Sequence, residues 1–391
     1  MKKLLLATAV AALSVSAANA APTLYGKAFV TADYVDVERD GAGTDNDVNN
    51  DSVQVNSNIS RLGFKGSEAM TANTDVIYQL EYGINIDDSG SDNIGFRSRD
   101  TYLGLDNKNY GQFRFGRNYS VTDYINNVTV TEGFWDNLGV SNLDMDGSVL
   151  DAVTMADGGR VNNSIVWKAP KYNNLPLELA LQYGADESFV SDNDDRNSGF
   201  GASLMFDQGA GFTAGIAYEK DMSLSSTRNV VNADGNPIII GGTTVVDAIT
   251  DEEVLIGGEN LTRTSGGELI RGSATVDLGK YMAAPVTLGA MYQVADFDFA
   301  GSEKEKGLVV SAEMGLTNFA RPAAVYLQYN GTKNLAGIDN RDSDQVVLGG
   351  KYMYKDNMIA HAYVGNNSAE DNDSSTDLDV FAIGGGLEYK F

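Results

Sequence analysis

The chain has no cysteine, a single histidine and only 6 prolines among its 391 residues. The lack of cysteine excludes a disulfide framework, a cysteine metal site and a thiol enzyme. The lone imidazole, His361, has no recognisable serine motif beside it, so the sequence predicts neither a metal site nor an enzyme. The scarcity of proline is typical of a chain that consists mostly of paired strands.

Basic residues are also scarce, with 28 Lys and Arg against 54 Asp and Glu and a net charge of −26. Such an acidic chain repels nucleic acid, so no nucleic-acid partner is expected. Stretches such as 40–51, 192–195 and 370–373 are rich in Asp, Asn and Gly. They are interpreted as solvated acidic loops, or alternatively as loops whose carboxylates bind Ca²⁺ or Mg²⁺ and bridge to lipopolysaccharide phosphates. No other cofactor is predicted.

Only the N-terminus carries a long apolar run. Lys2 and Lys3 precede an apolar segment from Leu4 to about Val15, and Ala18-Asn19-Ala20 forms a cleavage box. The pattern predicts a cleaved signal peptide over 1–20, followed by a single domain over 21–391. Since no later segment resembles a transmembrane helix, the mature chain can cross a membrane only as a β-barrel.

Alternation of apolar and polar residues predicts sixteen strands and therefore an all-β fold. In one of them Leu177, Leu179, Leu181 and Tyr183 face opposite to their polar or small neighbours. The predicted strands are 24–37, 52–66, 74–87, 95–106, 110–118, 161–170, 176–187, 197–208, 211–223, 267–280, 285–297, 305–317, 321–332, 343–354, 357–367 and 377–391.

The links between these strands alternate between short and long, which is typical of an antiparallel transmembrane β-barrel with short periplasmic turns and long extracellular loops. The third long link, about 119–160, is the candidate constriction loop, because a bare loop of that length usually has a function and can fold into the barrel. The fifth, about 224–266, would form a hairpin above the barrel or fold over its mouth.

The chain ends in a strand with Ile383, Leu387, Tyr389 and Phe391 on one face. Lys390, Glu388 and small residues occupy the other face. This is how outer-membrane barrels end, so Tyr389 and Phe391 are the candidate assembly signal.

Sixteen strands enclose a lumen too wide for side chains to fill, so a water-filled channel with a constriction is expected. The few basic residues cluster on strands that flank the third loop. A basic side chain that faces the lumen costs little free energy, whereas one that faces lipid at the bilayer midplane costs about 2–4 kcal/mol, so we expect these bases to face the lumen. The basic candidates are Lys27, Arg61, Arg97, Arg99, Arg114, Arg117 and Arg160. The acidic candidates within the loop are Asp123, Glu132, Asp136, Asp144 and Asp146.

Several stretches resemble the Gram-negative general-diffusion porins. They are Leu24-Tyr25-Gly26-Lys27-Ala28, 60–66, 104–105 followed by 110–119, 159–165 and the closing Leu387-Glu388-Tyr389-Lys390-Phe391. The resemblance implies a homotrimeric, sixteen-stranded channel of the outer membrane of a Gram-negative bacterium, with an inward-folded third loop.

The same resemblance implies which residues form the pore constriction. Its basic side would be Lys27, Arg61, Arg99 and Arg160, with Arg117 close by. Its acidic side would be Glu132 and Asp136, with Asp144 and Asp146 as alternatives. The segment Glu132-Gly133-Phe134-Trp135-Asp136 departs from the family's usual Pro-Glu-Phe-Gly tip.

The sequence therefore predicts passive diffusion of small hydrophilic solutes and ions with a weak cation preference, because acidic loops concentrate cations near the mouth. Two alternatives remain open. One is a channel specific for a substrate class such as carboxylates, and the other is an adhesion or structural barrel with a plugged pore. Outer-membrane lipid and lipopolysaccharide are the expected surroundings.

Overall fold

The computed structural model describes most of the chain after residue 20. The described residues are 21–41, 47–87, 96–140, 152–171, 175–185, 198–207, 209–224, 226–229, 239–240, 243–246, 253–256, 259–260, 262–299, 301–373 and 375–391. The predicted signal peptide lies outside them. Within them, no helix is long and apolar enough to cross a membrane.

Sixteen antiparallel strands form one closed sheet, as the alternation predicts. They are β1 Thr23–Asp40, β2 Val48–Ser57 with Arg61–Ala69, β3 Thr74–Gly83, β4 Arg97–Asn107, β5 Gly111–Tyr119, β6 Arg160–Lys168, β7 Leu177–Gly184, β8 Gly199–Asp207, β9 Phe212–Lys220, β10 Gly267–Asp277, β11 Val286–Phe297, β12 Glu305–Leu316, β13 Ala323–Lys333, β14 Arg341–Lys355, β15 Met358–Asp371 and β16 Thr376–Lys390.

The first and last strands close the barrel. β1 pairs with β16 from Lys27 opposite Lys390 to Asp40 opposite Asp377. The prediction of one continuous second strand over 52–66 is wrong, because residues 58–60 interrupt it and Ile59 has a left-handed φ of 48°. Both halves of β2 still pair with β1, so the barrel count remains sixteen.

Side chains alternate between the lumen and the membrane-facing surface, which explains why the apolar residues are so exposed. Large apolar side chains form the outer surface, as expected where lipid is the solvent. They include Leu103, Phe115, Ile165, Leu181, Phe200, Ile216, Ile270, Leu288, Leu308, Leu327, Leu348, Ile383 and Leu387. The inner face carries mainly polar residues such as Gln182, Gln293, Gln328 and Gln345, all buried.

The predicted contrast in loop length holds for the second to fifth loops and is wrong for the first and the last three. The links 41–47, 298–304, 334–340 and 372–375 are no longer than turns such as 278–285 at the other end. At the first loop, β1 and β2 extend into the predicted link 38–51 and pair there, and at the last loop β15 and β16 do the same in the predicted link 368–376. The described parts of the insertion 224–266 form an antiparallel ladder, in which Ser226–Asn229, Ile239–Ile240 and Thr243–Val246 pair with later segments.

Candidate functional site

The third loop lies along the inner face of the barrel. Its described parts, 120–140 and 152–159, hydrogen-bond through their backbone to lumen-facing side chains. Gln182 accepts from the Val121 amide at 3.0 Å and Gln328 from the Val130 amide at 2.7 Å. Ser273 donates to the Ile125 carbonyl at 2.7 Å. Because these partners belong to β7, β10 and β13, the loop covers the wall from β7 onward.

The tip of the loop is fixed to β15, β16 and β1. Trp135 is fully buried, and its indole nitrogen donates to the Ala382 carbonyl at 3.4 Å. The Phe134 amide donates to the Tyr363 hydroxyl at 3.1 Å, which in turn donates to the buried carboxylate of Asp33 at 2.6 Å. Gly133, with φ of +66°, makes the turn against the Tyr363 ring, where any side chain would clash. These contacts hold the residues on either side of the tip in place.

Glu132 and Asp136 flank this tip, one before and one after the 3₁₀ turn Gly133–Trp135. Glu132 borders a cavity of about 260 Å³ that Lys27 and Arg61 also line. The structure therefore brings one predicted loop acid together with two predicted wall bases. Asp136 is exposed, and Lys27 and Arg99 lie within electrostatic range of its carboxylate.

The environment of Asp136 weakens the solvation of its charge. The side chain is exposed at the surface of the loop, but protein surrounds it at longer range. This partial desolvation, together with the neighbouring Glu132 carboxylate, raises the pKa of Asp136 to about 6. Its carboxylate is thus charged at neutral pH and protonated in mildly acidic solution.

Wall carboxylates partly neutralise the predicted basic side. Glu81 on β3 accepts from Arg99 at 2.8 Å and lies 3.7 Å from Arg61. It also accepts from the Tyr25 hydroxyl at 3.1 Å. Sequence reasoning did not single out Glu81, although its position between the outward-facing Leu80 and Tyr82 marks it as inward-facing.

Two further wall acids escaped the sequence analysis. Arg160 donates to Asp100 at 3.0 Å, and Lys27 lies 3.8 Å from Glu388. Asp100 gave no signal in simple alternation, because it follows Arg99 directly and both cannot face inward in a regular strand. A bulge opposite Glu81 shifts the β3–β4 register between Leu80 and Tyr82 and breaks the alternation there.

The remaining basic candidates occupy different environments. Arg117 donates to the Ser98 carbonyl at 3.1 Å and also to the Asn162 side chain. Arg97 is exposed at the loop end of β4. The Arg114 guanidinium lies 4.7 Å from the centre of the Tyr102 ring. Arg114 is nearer to the short turns than the other basic candidates are. The seven bases therefore do not form one cluster.

The structure also places a base that the sequence analysis missed. Arg271 on β10 is fully buried behind the returning limb of the loop, where its guanidinium donates to Asp157 at 2.8 Å and to Gln293. Its inward position follows from the outward-facing Ile270 beside it. Asp123 lies at the start of the loop, in electrostatic range of Arg271 and Arg160. Asp144 and Asp146 lie outside the described residues.

The C-terminal strand has the predicted faces. Tyr389 and Phe391 are exposed on the outer surface and stack with ring centres 6.1 Å apart. The Gly26 amide donates to the Phe391 carbonyl at 2.9 Å, so the last residue takes part in the closing seam. His361 is a buried wall residue of β15, 3.6 Å from Glu388.

Comparisons with known proteins agree with this architecture. A family model described as Gram-negative porin matches residues 7–373. Outer membrane porin N of Escherichia coli (strain K12) is 26% identical over 430 aligned residues that cover both chains completely. Outer membrane protein F of Serratia marcescens is 26% identical over 413 residues, again with full coverage of both.

Solved structures share the fold as well. The anion-selective porin from Comamonas acidovorans matches with a TM-score of 0.64 at 17% identity, covering 95% of this chain and 100% of that one. The trimer form of OmpT from Vibrio cholerae matches with a TM-score of 0.57 at 14% identity, with coverages of 95% and 100%. With a family match over most of its length and a closed barrel of sixteen strands, the chain belongs to the Gram-negative porin family and is a channel of the outer membrane for passive diffusion, not an enzyme.

Proposed function

We propose that the loop acids and the wall bases form the ion-selective constriction of this channel. The observation that carries the proposal is that Glu132 on the loop and Lys27 and Arg61 on the wall border one cavity of about 260 Å³. Opposite charges on two sides of a narrow, water-filled passage produce a transverse field. Such a field orients dipolar solutes and makes passage costlier for apolar ones.

The charges at the constriction nearly cancel. The five proposed bases are Lys27, Arg61, Arg99, Arg117 and Arg160. The five carboxylates among or beside them are Glu132, Asp136, Glu81, Asp100 and Glu388. A constriction of this composition has little net charge of its own, so charges elsewhere must decide the sign of the ion selectivity.

The acidic surroundings favour cations. The chain as a whole has a net charge of −26, and acids near the mouth raise the local cation concentration within roughly 8 Å at physiological salt. We expect a weak cation preference that diminishes as the salt concentration rises. The anion-selective porin from Comamonas acidovorans shares only the fold at 17% identity, so its selectivity need not apply here.

The experiment is to record single channels of the purified protein in a planar bilayer under a salt gradient. A small reversal potential on the cation side, shrinking at high salt, supports the proposal. An anion-selective reversal potential contradicts it. Saturable block by one class of solute would instead indicate a substrate-specific channel, and a silent bilayer from folded protein would indicate a plugged barrel.

We further propose that the channel is a homotrimer, since the family is generally trimeric and the similar OmpT structure is of a trimer form. Conductance that rises in groups of three steps, and a band of three times the monomer mass in unheated gels, are the expected results. Single-step insertion from a protein that runs as a monomer after mild extraction would contradict this assembly.

A further inference from the structure

A second charged region lies in the lumen at the end with the short turns. It is a cavity of about 390 Å³ between the β4–β5 turn and the β6–β7 link. Four bases line it, Lys108, Arg114, Lys168 and Lys171, together with two acids, Asp106 and Glu178. The cavity therefore has an excess of two positive charges in a chain with a net charge of −26.

Three of these bases form no ion pair within the described residues, and one of the three, Lys108, donates to the Ala72 carbonyl at 2.9 Å. Lys171 forms an ion pair with Glu178 at 2.7 Å. Asp106 accepts a hydrogen bond from the side-chain amide of Gln112 at 3.2 Å. Neither Arg114 nor Lys168 forms an ion pair with any carboxylate in the part of the chain that the structure describes. Both therefore retain the capacity to bind an external anion.

Aromatic rings hold these two cations in position. The Arg114 guanidinium lies 4.7 Å from the centre of the Tyr102 ring, and the Lys168 ammonium lies 4.2 Å from that of Tyr124. A cation–π contact fixes a cation without cancelling its charge, unlike an ion pair. Arg114 also donates to Gln112 through Nε at 2.5 Å, which leaves its terminal nitrogens available.

The two cations are placed to act together. Gln112 pairs with Lys168 and Arg114 with Val166 across β5 and β6, so Arg114 and Lys168 are diagonal neighbours on the inner face. Ala169, Pro170 and Leu179 form an apolar part of the cavity wall. Such a wall limits the solvation of a bound ion and strengthens its attraction to the cations.

We propose that this cavity, defined by Arg114 and Lys168, is a binding site for small solutes that carry a phosphate or a carboxylate. A planar guanidinium offers two parallel donors to such an anion, and the ammonium contributes a third donor from the neighbouring strand. The site is separate from the constriction, and it does not depend on the sign of the ion selectivity proposed above. A bound anion would offset the excess positive charge of this cavity.

The test is calorimetric titration of the folded protein in detergent with inorganic phosphate and, separately, with succinate. The double substitution Arg114→Gln and Lys168→Gln should weaken binding by about tenfold or more, because it removes both charge-assisted donors. The matched control is Lys304→Gln, which removes a base that lies outside the cavity and is already paired with Asp296. It should leave the affinity within about twofold.

The outcomes separate the possible ligands. Binding of both probes, lost in the double variant, supports a general anion site, and binding of one probe alone supports a site for that chemistry. Retained heat-modifiability of the variants shows that they are folded. The charge-conserving double substitution Arg114→Lys and Lys168→Arg should retain anion binding. No measurable binding by the native protein, or equal binding by the native and double-variant proteins, would overturn the proposal.

Discussion

The indole of Trp135 lies directly against Gly365 on β15. A Cβ atom at position 365 would stand 2.6 Å from Cε2 of the ring and 2.9 Å from its nitrogen. Since Trp135 is fully buried, the ring cannot turn away into solvent. The loop tip can therefore dock on the wall only because residue 365 is glycine.

We predict that Gly365→Ala displaces the tip towards the lumen axis and lowers the single-channel conductance, because Glu132 and Asp136 must move with Trp135. Conductance and open-channel noise of the refolded protein measure this change. Gly272→Ala is the matched control, since a Cβ there would approach only the Gly215 carbonyl, at 3.9 Å. Unchanged conductance in a folded Gly365→Ala channel would show that the tip does not limit the passage.

Removing the charge of Glu81 should shift the ion selectivity towards anions. Glu81→Gln leaves Arg61 and Arg99 without their common carboxylate. One unit charge about 8 Å from a permeating ion in water changes its energy by about 0.5 kcal/mol, about twofold in permeability and opposite in sign for cations and anions, so the cation-to-anion permeability ratio should fall about fivefold. Reversal potentials in a salt gradient provide the measurement.

The control for this charge change is Asp296→Asn. Asp296 on β11 forms an exposed ion pair with Lys304 at 2.9 Å, so removing the Asp296 charge changes the net charge equally without entering the constriction. The permeability ratio of this variant should remain near that of the native channel. An equal shift in both variants would mean that overall charge, not the constriction, sets the selectivity.

The cation preference should decrease as the pH falls from 7.5 to 5. The pKa of Asp136 is raised to about 6, so the carboxylate is charged above this pH and takes up a proton below it. Protonation removes one negative charge from the lumen and thereby lowers the permeability of cations relative to anions. Reversal potentials recorded across this pH range give the midpoint.

Two variants identify the group that titrates. Asp136→Asn should show the low-pH selectivity already at pH 7.5 and lose most of the pH dependence. His361→Gln removes the only histidine of the chain, which lies in the wall beside Glu388. If His361→Gln abolishes the transition and Asp136→Asn retains it, the assignment to Asp136 is wrong.

Phe391→Ala should reduce assembly into the outer membrane more than it reduces refolding in detergent. The side chain is 51% exposed on the outer surface, whereas the backbone of the same residue closes the seam with Gly26. Alanine preserves those backbone hydrogen bonds and removes only the terminal ring. The fraction of heat-modifiable protein, in isolated membranes and after refolding, measures both effects, and equal losses in the two would assign the ring a purely structural role.

The sequence indicated the positions of most strands because a wall between lipid and water needs strict alternation. It also located the third loop and the bases of β1–β6. It could not supply the ion pairs of Glu81, Asp100 and Glu388, since those depend on which strands are neighbours. The bulge that brings Asp100 into the lumen together with Arg99 has no signature in alternation.

What the sequence by itself determined is the number of strands and the face that most side chains occupy, because both depend on local composition and a period of two. Only the tertiary structure decided where the third loop lies. Its path depends on hydrogen bonds to strands up to 247 residues away in the chain, as from Trp135 to Ala382. Contacts at such separation exist only once the barrel has closed.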